Sequence, residues 1–221
     1  MKYQHFSFWT DSVPYRWSQR CLGAALTGLC KLETHGNEHV PREGGVLLLS
    51  NHVSYLDPFI VGTTARREFY FMARDSIFSV PVIGKILSLH NAYPVKRGSA
   101  DRRALKYTIS LLKEGHAVLI FPEGTRSKDG NLGKARDGVS FIIHNADVPA
   151  IPVYLSGANY LMPRWSKWIR PAKLETYFGP PIDFSEARKI QDKRLMYNSM
   201  SQVIMESIGA LGGMALSSRI D

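Results

Sequence analysis

Residues 46–58 read VLLLSNHVSYLDP, and the way this stretch folds decides the architecture. The opening run, 46–50, is short, continuous and apolar, which suits a strand buried on both faces. His52 and Asp57 follow it, five positions apart. On a regular helix five residues turn about 500°, leaving two such side chains about 140° apart on different faces. Pro58 points to another conformation, because a proline disfavours helical backbone in the residue before it yet is well tolerated in a helix's first turn. The stretch therefore reads as strand, turn, then helix.

The same alternation continues outward. Helix is expected at 14–31 and 58–66, strand at 69–72, one or two short helices across 76–89 broken at Pro81, and strand at 91–95. A helix over 99–114 carries Ala104, Leu105, Ile109 and Leu112 on one side. Strand is expected at 117–121, helix at 138–146, strand at 150–155 and an alternating strand at 173–178. A helical stretch over 185–211, interrupted near Gln191, closes the chain. Strands that alternate with helices predict an α/β fold: one domain with a mixed, largely parallel sheet flanked by helices. The expected division is an N-terminal segment, 1–39, carrying an amphipathic helix, and a main domain, 40–221. In that first helix Tyr15, Leu22, Leu26 and Leu29 form a stripe, which fits either a membrane-interfacial helix or one packed on the core.

The chain has 221 residues, 44% of them hydrophobic, enough for a substantial core. Its net charge of +9 points to a polyanionic partner: nucleic acid, an anionic membrane surface or a phosphate-bearing substrate. The uncharged stretch 21–30 is only ten residues long, against the roughly 20 needed to span a bilayer. No transmembrane helix or secretory signal is expected. Cys21 and Cys30, the only two cysteines, read as reduced thiols in a cytosolic chain.

Three polar clusters follow predicted strands, the position at which open α/β sheets bind ligands. In the first, His52 is suited to take a proton near neutral pH, and Asp57 to fix its tautomer. Asp57 is equally open to reading as a cap of the helix at Pro58, through a Ser54-x-x-Asp57 box. In the second, FPEGTRSKDG at 121–130, Gly124 would permit close backbone approach and Arg126 offers a planar fork for phosphate, although Glu123 and Arg126 could simply pair around a turn. The third, VKRG at 95–98, presents Lys96 and Arg97. Serine-hydrolase elbow, Walker loop, zinc motifs and dinucleotide fingerprint are all absent. A histidine base without a protein nucleophile suggests that a substrate hydroxyl attacks.

Taken in order, NHVSYLD (51–57), YPVKRG (93–98), FPEGTRS (121–127) and IPVYLSG (151–157) resemble the four motifs of the glycerolipid acyltransferases, especially the 1-acylglycerol-3-phosphate O-acyltransferase branch. The similarity spans roughly 40–180, and LGKARDGVSFI (132–142) resembles a further family segment, with Arg136 where a lysine is common. YPVKR departs from the family's usual Phe-Ile-Asp-Arg. The resemblance implies an enzyme in which His52, oriented by Asp57, deprotonates the free hydroxyl of a lysophospholipid as it attacks an acyl thioester. It implies an acceptor site shaped by Lys96, Arg97, Glu123, Gly124, Thr125, Arg126 and Arg136, with backbone N–H groups around Gly124 facing the oxyanion. Pro152 would line the acyl pocket or serve structure. No metal or bound cofactor is implied, since acyl-CoA or acyl carrier protein is a cosubstrate. Other acceptors, such as glycerol-3-phosphate or another lysophospholipid, fit the same chemistry, and a non-catalytic lipid-binding protein of the same fold is a further alternative.

Lipid substrates imply a membrane partner rather than nucleic acid, for which no recognised module is present. Segment 161–173 carries Arg164, Lys167, Arg170 and Lys173 without an acid, interleaved with Trp165 and Trp168. Tryptophan favours the headgroup level and the cations favour an anionic surface. Peripheral attachment at the cytoplasmic side of a membrane is therefore expected. A basic loop with its tryptophans packed inward is the competing reading.

Overall fold

The computed structural model describes residues 13–96, 101–163, 166 and 168–217. A seven-stranded sheet in the order β1-β7-β6-β2-β5-β3-β4 forms its centre. Its strands are β1 (Glu33–His35), β2 (Val46–Ser50), β3 (Phe69–Arg74), β4 (Ala92–Val95), β5 (Ala117–Ile120), β6 (Ala150–Ser156) and β7 (Glu175–Phe178). Every neighbouring pair is parallel except β6 with β7. Strands β2 to β6 thus share one direction, and their C-terminal ends lie along one edge of the sheet.

The apolar run 46–50 divides by the two-residue period of a strand. Val46 and Leu48 enter a core under α1 (Val13–Cys30), α2 (Asp57–Thr64) and α3 (Pro81–Leu89). Leu47 and Leu49 enter the opposite core, under α4 (Arg102–Lys113), α5 (Asp137–Ala146) and the last helix, α8 (Lys193–Ser217). Asn51 extends the pairing of β2 with β6 by side chain: its Nδ2 donates to the Leu155 carbonyl (3.0 Å) and its Oδ1 accepts from the Leu155 N–H (2.7 Å).

Several expectations need correction. The strand at 173–178 does not alternate. Residues 174–178 are all buried, because β7 lies between β1 and β6. Glu175 tolerates burial by pairing with Lys173 (3.1 Å). In α1, Leu29 is 70% exposed, while Tyr15, Gln19, Leu26 and Cys30 form the buried stripe, so this helix packs on the body. The short helices expected across 76–89 with a break at Pro81 are present as a 3₁₀ turn at Asp75–Ile77 and α3, which Pro81 starts. The C-terminal interruption separates α7 (Ser185–Arg188) from α8, whose start Asp192 caps by accepting from the N–H groups of Arg194 and Leu195. Three elements lacked a sequence signal: β1, a 3₁₀ turn at Asn37–His39, and the short α6 (Ala158–Leu161) after β6. β1 lies within the segment assigned by sequence to the N-terminal part, yet pairs with β7 in the main sheet.

Candidate active site

The turn after β2 brings His52 and Asp57 together: His52 Nδ1 lies 2.8 Å from Asp57 Oδ2. That same oxygen accepts the N–H groups of Val53 (2.7 Å) and Ser54 (2.8 Å). Asp57 is the first residue of α2, and no side chain caps that helix; its carboxylate instead closes the preceding turn and holds the imidazole, so the capping reading needs correction while the contact with His52 is present. Asp57 is fully buried, whereas the His52 side chain remains 18% exposed. The geometry leaves Nε2 as the ring nitrogen available to a substrate. Asp57 Oδ1 is buried with no hydrogen-bond partner among the described residues.

Phe121, just past the end of β5, continues the row of Ala117 and Leu119 and stacks on the His52 ring at 4.0 Å between centroids. Stacking and the Asp57 bond together restrict the imidazole to one orientation. The loop after β5 is tied to the histidine turn by two backbone contacts. Ser127 N–H donates to the His52 carbonyl (2.7 Å), and His52 N–H donates to Glu123 Oε1 (3.3 Å). Glu123 Oε2 accepts from Gly133 N–H (3.0 Å). Burial raises the Glu123 pKa above its ordinary value, partly offset by these two N–H groups and by His52. Both Glu123 oxygens thus brace loops, which favours the bracing role over direct acceptor contact.

Gly124 adopts φ +65°, the left-handed region, and a Cβ there would fall 2.5 Å from Arg136 Nε. Arg136 crosses this position, and its Nε donates to the Glu123 carbonyl (3.2 Å). The N–H of Gly124 itself donates to the Phe121 carbonyl (2.9 Å) and closes the turn, so of the backbone N–H groups around Gly124 this one is already engaged. Arg126 lies over the ring of Tyr55, its Cζ 3.5 Å from the centroid. Thr125 is half-buried in the same loop. Lys96 is exposed at the end of β4, on the same edge but three strands from β2, which is about 14 Å at ordinary strand spacing. Arg97 lies outside the described residues.

Pro152 is buried in β6 beside Leu49 of β2, and its carbonyl accepts from Gly179 N–H (2.9 Å) just past the end of β7. There a residue without an N–H can be accommodated. Arg164, Trp165 and Lys167 lie outside the described residues. Trp168 is 80% exposed and Ile169 and Arg170 are exposed beside it, so this tryptophan does not pack inward. Among the described residues one group could share a metal ion, Glu33 with His35 and Glu175, on the far strands β1 and β7. The Lys173 ammonium stands between its two carboxylates at 3.3 and 3.1 Å.

Sequence reasoning passed over Tyr55 and Phe121 as site residues. Each stood inside or beside a quoted motif, and an aromatic at the mouth of a polar cluster was the available signal. The tie from Gly133 to Glu123 had none, since it joins residues ten positions apart through a main-chain N–H.

Comparison with known proteins bears on the family and the fold. The Acyltransferase family matches residues 31–156. The 1-acyl-sn-glycerol-3-phosphate acyltransferase LPAT1, chloroplastic, of Arabidopsis thaliana is 34% identical over 161 residues, covering 71% of this chain and 45% of that protein. The 1-acyl-sn-glycerol-3-phosphate acyltransferase BAT2, chloroplastic, of Brassica napus is 35% identical over 142 residues, covering 63% of this chain and 41% of that protein. The match therefore spans less than half the length of both relatives. The crystal structure of the 1-acyl-sn-glycerophosphate (LPA) acyltransferase PlsC from Thermotoga maritima superposes with a TM-score of 0.73 at 22% identity, over 90% of this chain and 79% of that one, and shares its fold. With its histidine–aspartate turn and braced FPEGTRS loop at the heart of the matched region, this chain belongs to the acyltransferase family.

Proposed function

We propose that the protein transfers a fatty acyl group from an acyl thioester to the free hydroxyl of 1-acyl-sn-glycerol-3-phosphate, giving phosphatidic acid in phospholipid biosynthesis. The observation that carries this reading is the pair itself: a part-exposed imidazole whose Nδ1 is fixed 2.8 Å from a fully buried carboxylate. His52 Nε2 takes the hydroxyl proton as the oxygen forms its bond to the thioester carbonyl carbon. The Asp57 carboxylate stabilises the imidazolium that forms. The tetrahedral intermediate then breaks its C–S bond, and the departing sulfur takes the proton from His52. The thioester, acyl-CoA or acyl carrier protein, is a cosubstrate, and the mechanism calls on no metal or resident cofactor.

Arg126, Arg136, Lys96 and Arg97 are assigned to the acceptor's phosphate and its approach, with Arg126 held by Tyr55. Peripheral membrane attachment accompanies this reading, through the exposed Trp168, Ile169 and Arg170 of the basic segment. No described helix is long and apolar enough to cross a membrane. Two free thiols fit a reducing compartment and hence the cytoplasmic side.

The deciding experiment is transfer from labelled acyl-CoA, and in parallel from acyl carrier protein, to lysophosphatidic acid in mixed micelles. Wild type should form phosphatidic acid. His52→Ala, with an unchanged melting temperature, should lose at least the ~10²-fold expected of a general base. Full activity in His52→Ala overturns the mechanism. Preferred transfer to glycerol-3-phosphate or to a lysophospholipid with another headgroup overturns the acceptor, and phospholipid binding without turnover in wild type overturns the enzyme reading.

A further inference from the structure

Helix α3 is built inside out. Its buried residues are Gly84 and Leu87, while Val82 is 70%, Ile83 46% and Ile86 44% exposed. At 100° per residue Val82, Ile86 and Ile83 fall in one continuous apolar stripe, with the exposed Lys85 on its border. An ordinary surface helix would turn such a stripe inward. Gly84 prevents it, because a Cβ at that position would fall 2.5 Å from the Phe78 carbonyl oxygen, and only a glycine allows this face to approach so closely. The helix is thus locked with its apolar side facing solvent. A contiguous exposed apolar stripe of this kind marks an interaction surface, unlike single hydrophobic residues scattered over a protein.

Topology says what meets it. β3 runs parallel to β5, and β5 to β2, so α3 begins at the same edge of the sheet at which His52 follows β2. Trp168 and Ile169 belong to the segment after β6, which is also parallel to β2. Exposed apolar side chains thus follow the ends of β3 and β6, on either side of the histidine turn in the strand order. A long-chain acceptor must be lifted from a bilayer to reach His52 without its chain crossing water. Lys85 lies on α3 itself, Arg74 and Asp75 lie in the chain just before it, and the protein as a whole carries +9.

We propose that the outward face of α3, centred on Val82, Ile83 and Ile86, is a docking surface for an anionic membrane that orients the active-site edge toward the bilayer. This rests on the reading of the acceptor as a membrane lipid. The stripe enters the headgroup region, Lys85 reaches the anionic lipids, and Trp168 and Ile169 provide a second point of attachment, so that two contacts fix the tilt of the sheet edge.

The test is cosedimentation with phosphatidylcholine vesicles, with and without phosphatidylglycerol, using the full chain and the triple variant Val82→Ser, Ile83→Ser, Ile86→Ser. All three positions are solvent-exposed, so the variant should keep its melting temperature. Binding to the anionic vesicles should fall about tenfold or more, as three apolar side chains no longer leave water. Turnover of vesicle-borne lysophosphatidic acid should fall through KM, while turnover of a short-chain, water-soluble lysophosphatidic acid stays at the wild-type rate. Unchanged vesicle binding overturns the proposal. So does unchanged binding accompanied by a dimer that light scattering shows in wild type and not in the variant, which would assign the stripe to a second copy of the chain. A wild type that binds vesicles through the stripe yet fails to acylate even the short-chain acceptor leaves the surface standing and overturns only the assigned reaction.

Discussion

Replacing Asp57 by asparagine tests the histidine–aspartate pair most directly, because the change keeps the shape and removes the charge. Asp57 Oδ2 accepts three hydrogen bonds, from His52 Nδ1, Val53 N–H and Ser54 N–H at 2.7 to 2.8 Å, and Oδ1 accepts none. An asparagine therefore has one acceptable orientation, with its oxygen toward the three donors and its NH₂ in the buried position that lacks a partner. Charge-assisted bonds contribute about 1.5–3 kcal/mol and neutral ones about 0.5–1.5, so three bonds weaken by roughly 1 kcal/mol each. The unpartnered NH₂ adds about 1–3 kcal/mol, and relief of the buried charge offsets part of the sum, leaving a net loss of stability of about 2–4 kcal/mol. The effect on rate is separate and larger. The imidazolium that forms as the hydroxyl is deprotonated loses its counter-charge, and the equivalent change in a hydrolase triad costs about 10⁴. The expected result is a kcat reduced roughly 10²- to 10⁴-fold with little change in KM for either substrate, measured below the variant's melting temperature. The double variant His52→Ala, Asp57→Asn should be no slower than His52→Ala alone, since the aspartate acts through the histidine. An Asp57→Asn enzyme within threefold of wild type would refute the reasoning and leave Asp57 as a purely structural brace of the turn.

Three other changes probe the surrounding frame. Tyr55→Leu removes the ring beneath the Arg126 guanidinium; a stack of this kind contributes about 0.5–1 kcal/mol at an exposed site, so acceptor KM should rise about two- to fivefold with kcat unchanged, and Tyr55→Phe should restore it. Gly124→Ala forces an alanine to φ +65° and into Arg136; a denaturant melt should show a loss of at least about 1–2 kcal/mol. His90 is buried, its Nδ1 facing the Ile86 carbonyl at 2.9 Å and its Nε2 facing Ser18 Oγ at 3.1 Å, and burial lowers its pKa below the ordinary 6.5. The unfolded chain then binds the extra proton first, so the stability from neutral His90 is complete above about 6.5 and is lost as pH falls toward the folded value. Melting temperatures taken from pH 7.5 downward should show a shallower acid-side fall in His90→Gln than in wild type, and parallel curves would contradict the assignment.

How much of this was legible beforehand differs between fold and site. The strands at 46–50, 69–72, 117–121 and 150–155 announced themselves because continuous apolar runs are a local property, and their interruption by amphipathic helices implied the parallel sheet. The order of the four motifs was equally one-dimensional. The histidine–aspartate contact was accessible too, since Pro58 dictates a turn and a turn brings positions five apart together.

Other features depended on partners distant in sequence. β1 carries three exposed residues, Glu33, Thr34 and His35, with no apolar pattern, and is a strand only because β7 pairs with it. Glu175 is buried because β7 became an interior strand, a fact of strand order rather than of composition. Glu123, which the sequence left open either to shape the acceptor site or to pair with Arg126, accepts from two backbone N–H groups, those of His52 and Gly133. The apolar positions of α3 were visible from the start, yet periodicity fixes only which residues share a face and not which way that face turns. A glycine meeting a carbonyl oxygen decided that direction. By itself the sequence determined the periods, the turns and the chemical groups supplied to the site. The tertiary structure decided which groups meet and which remain facing water, because both depend on contacts between segments that are far apart along the chain.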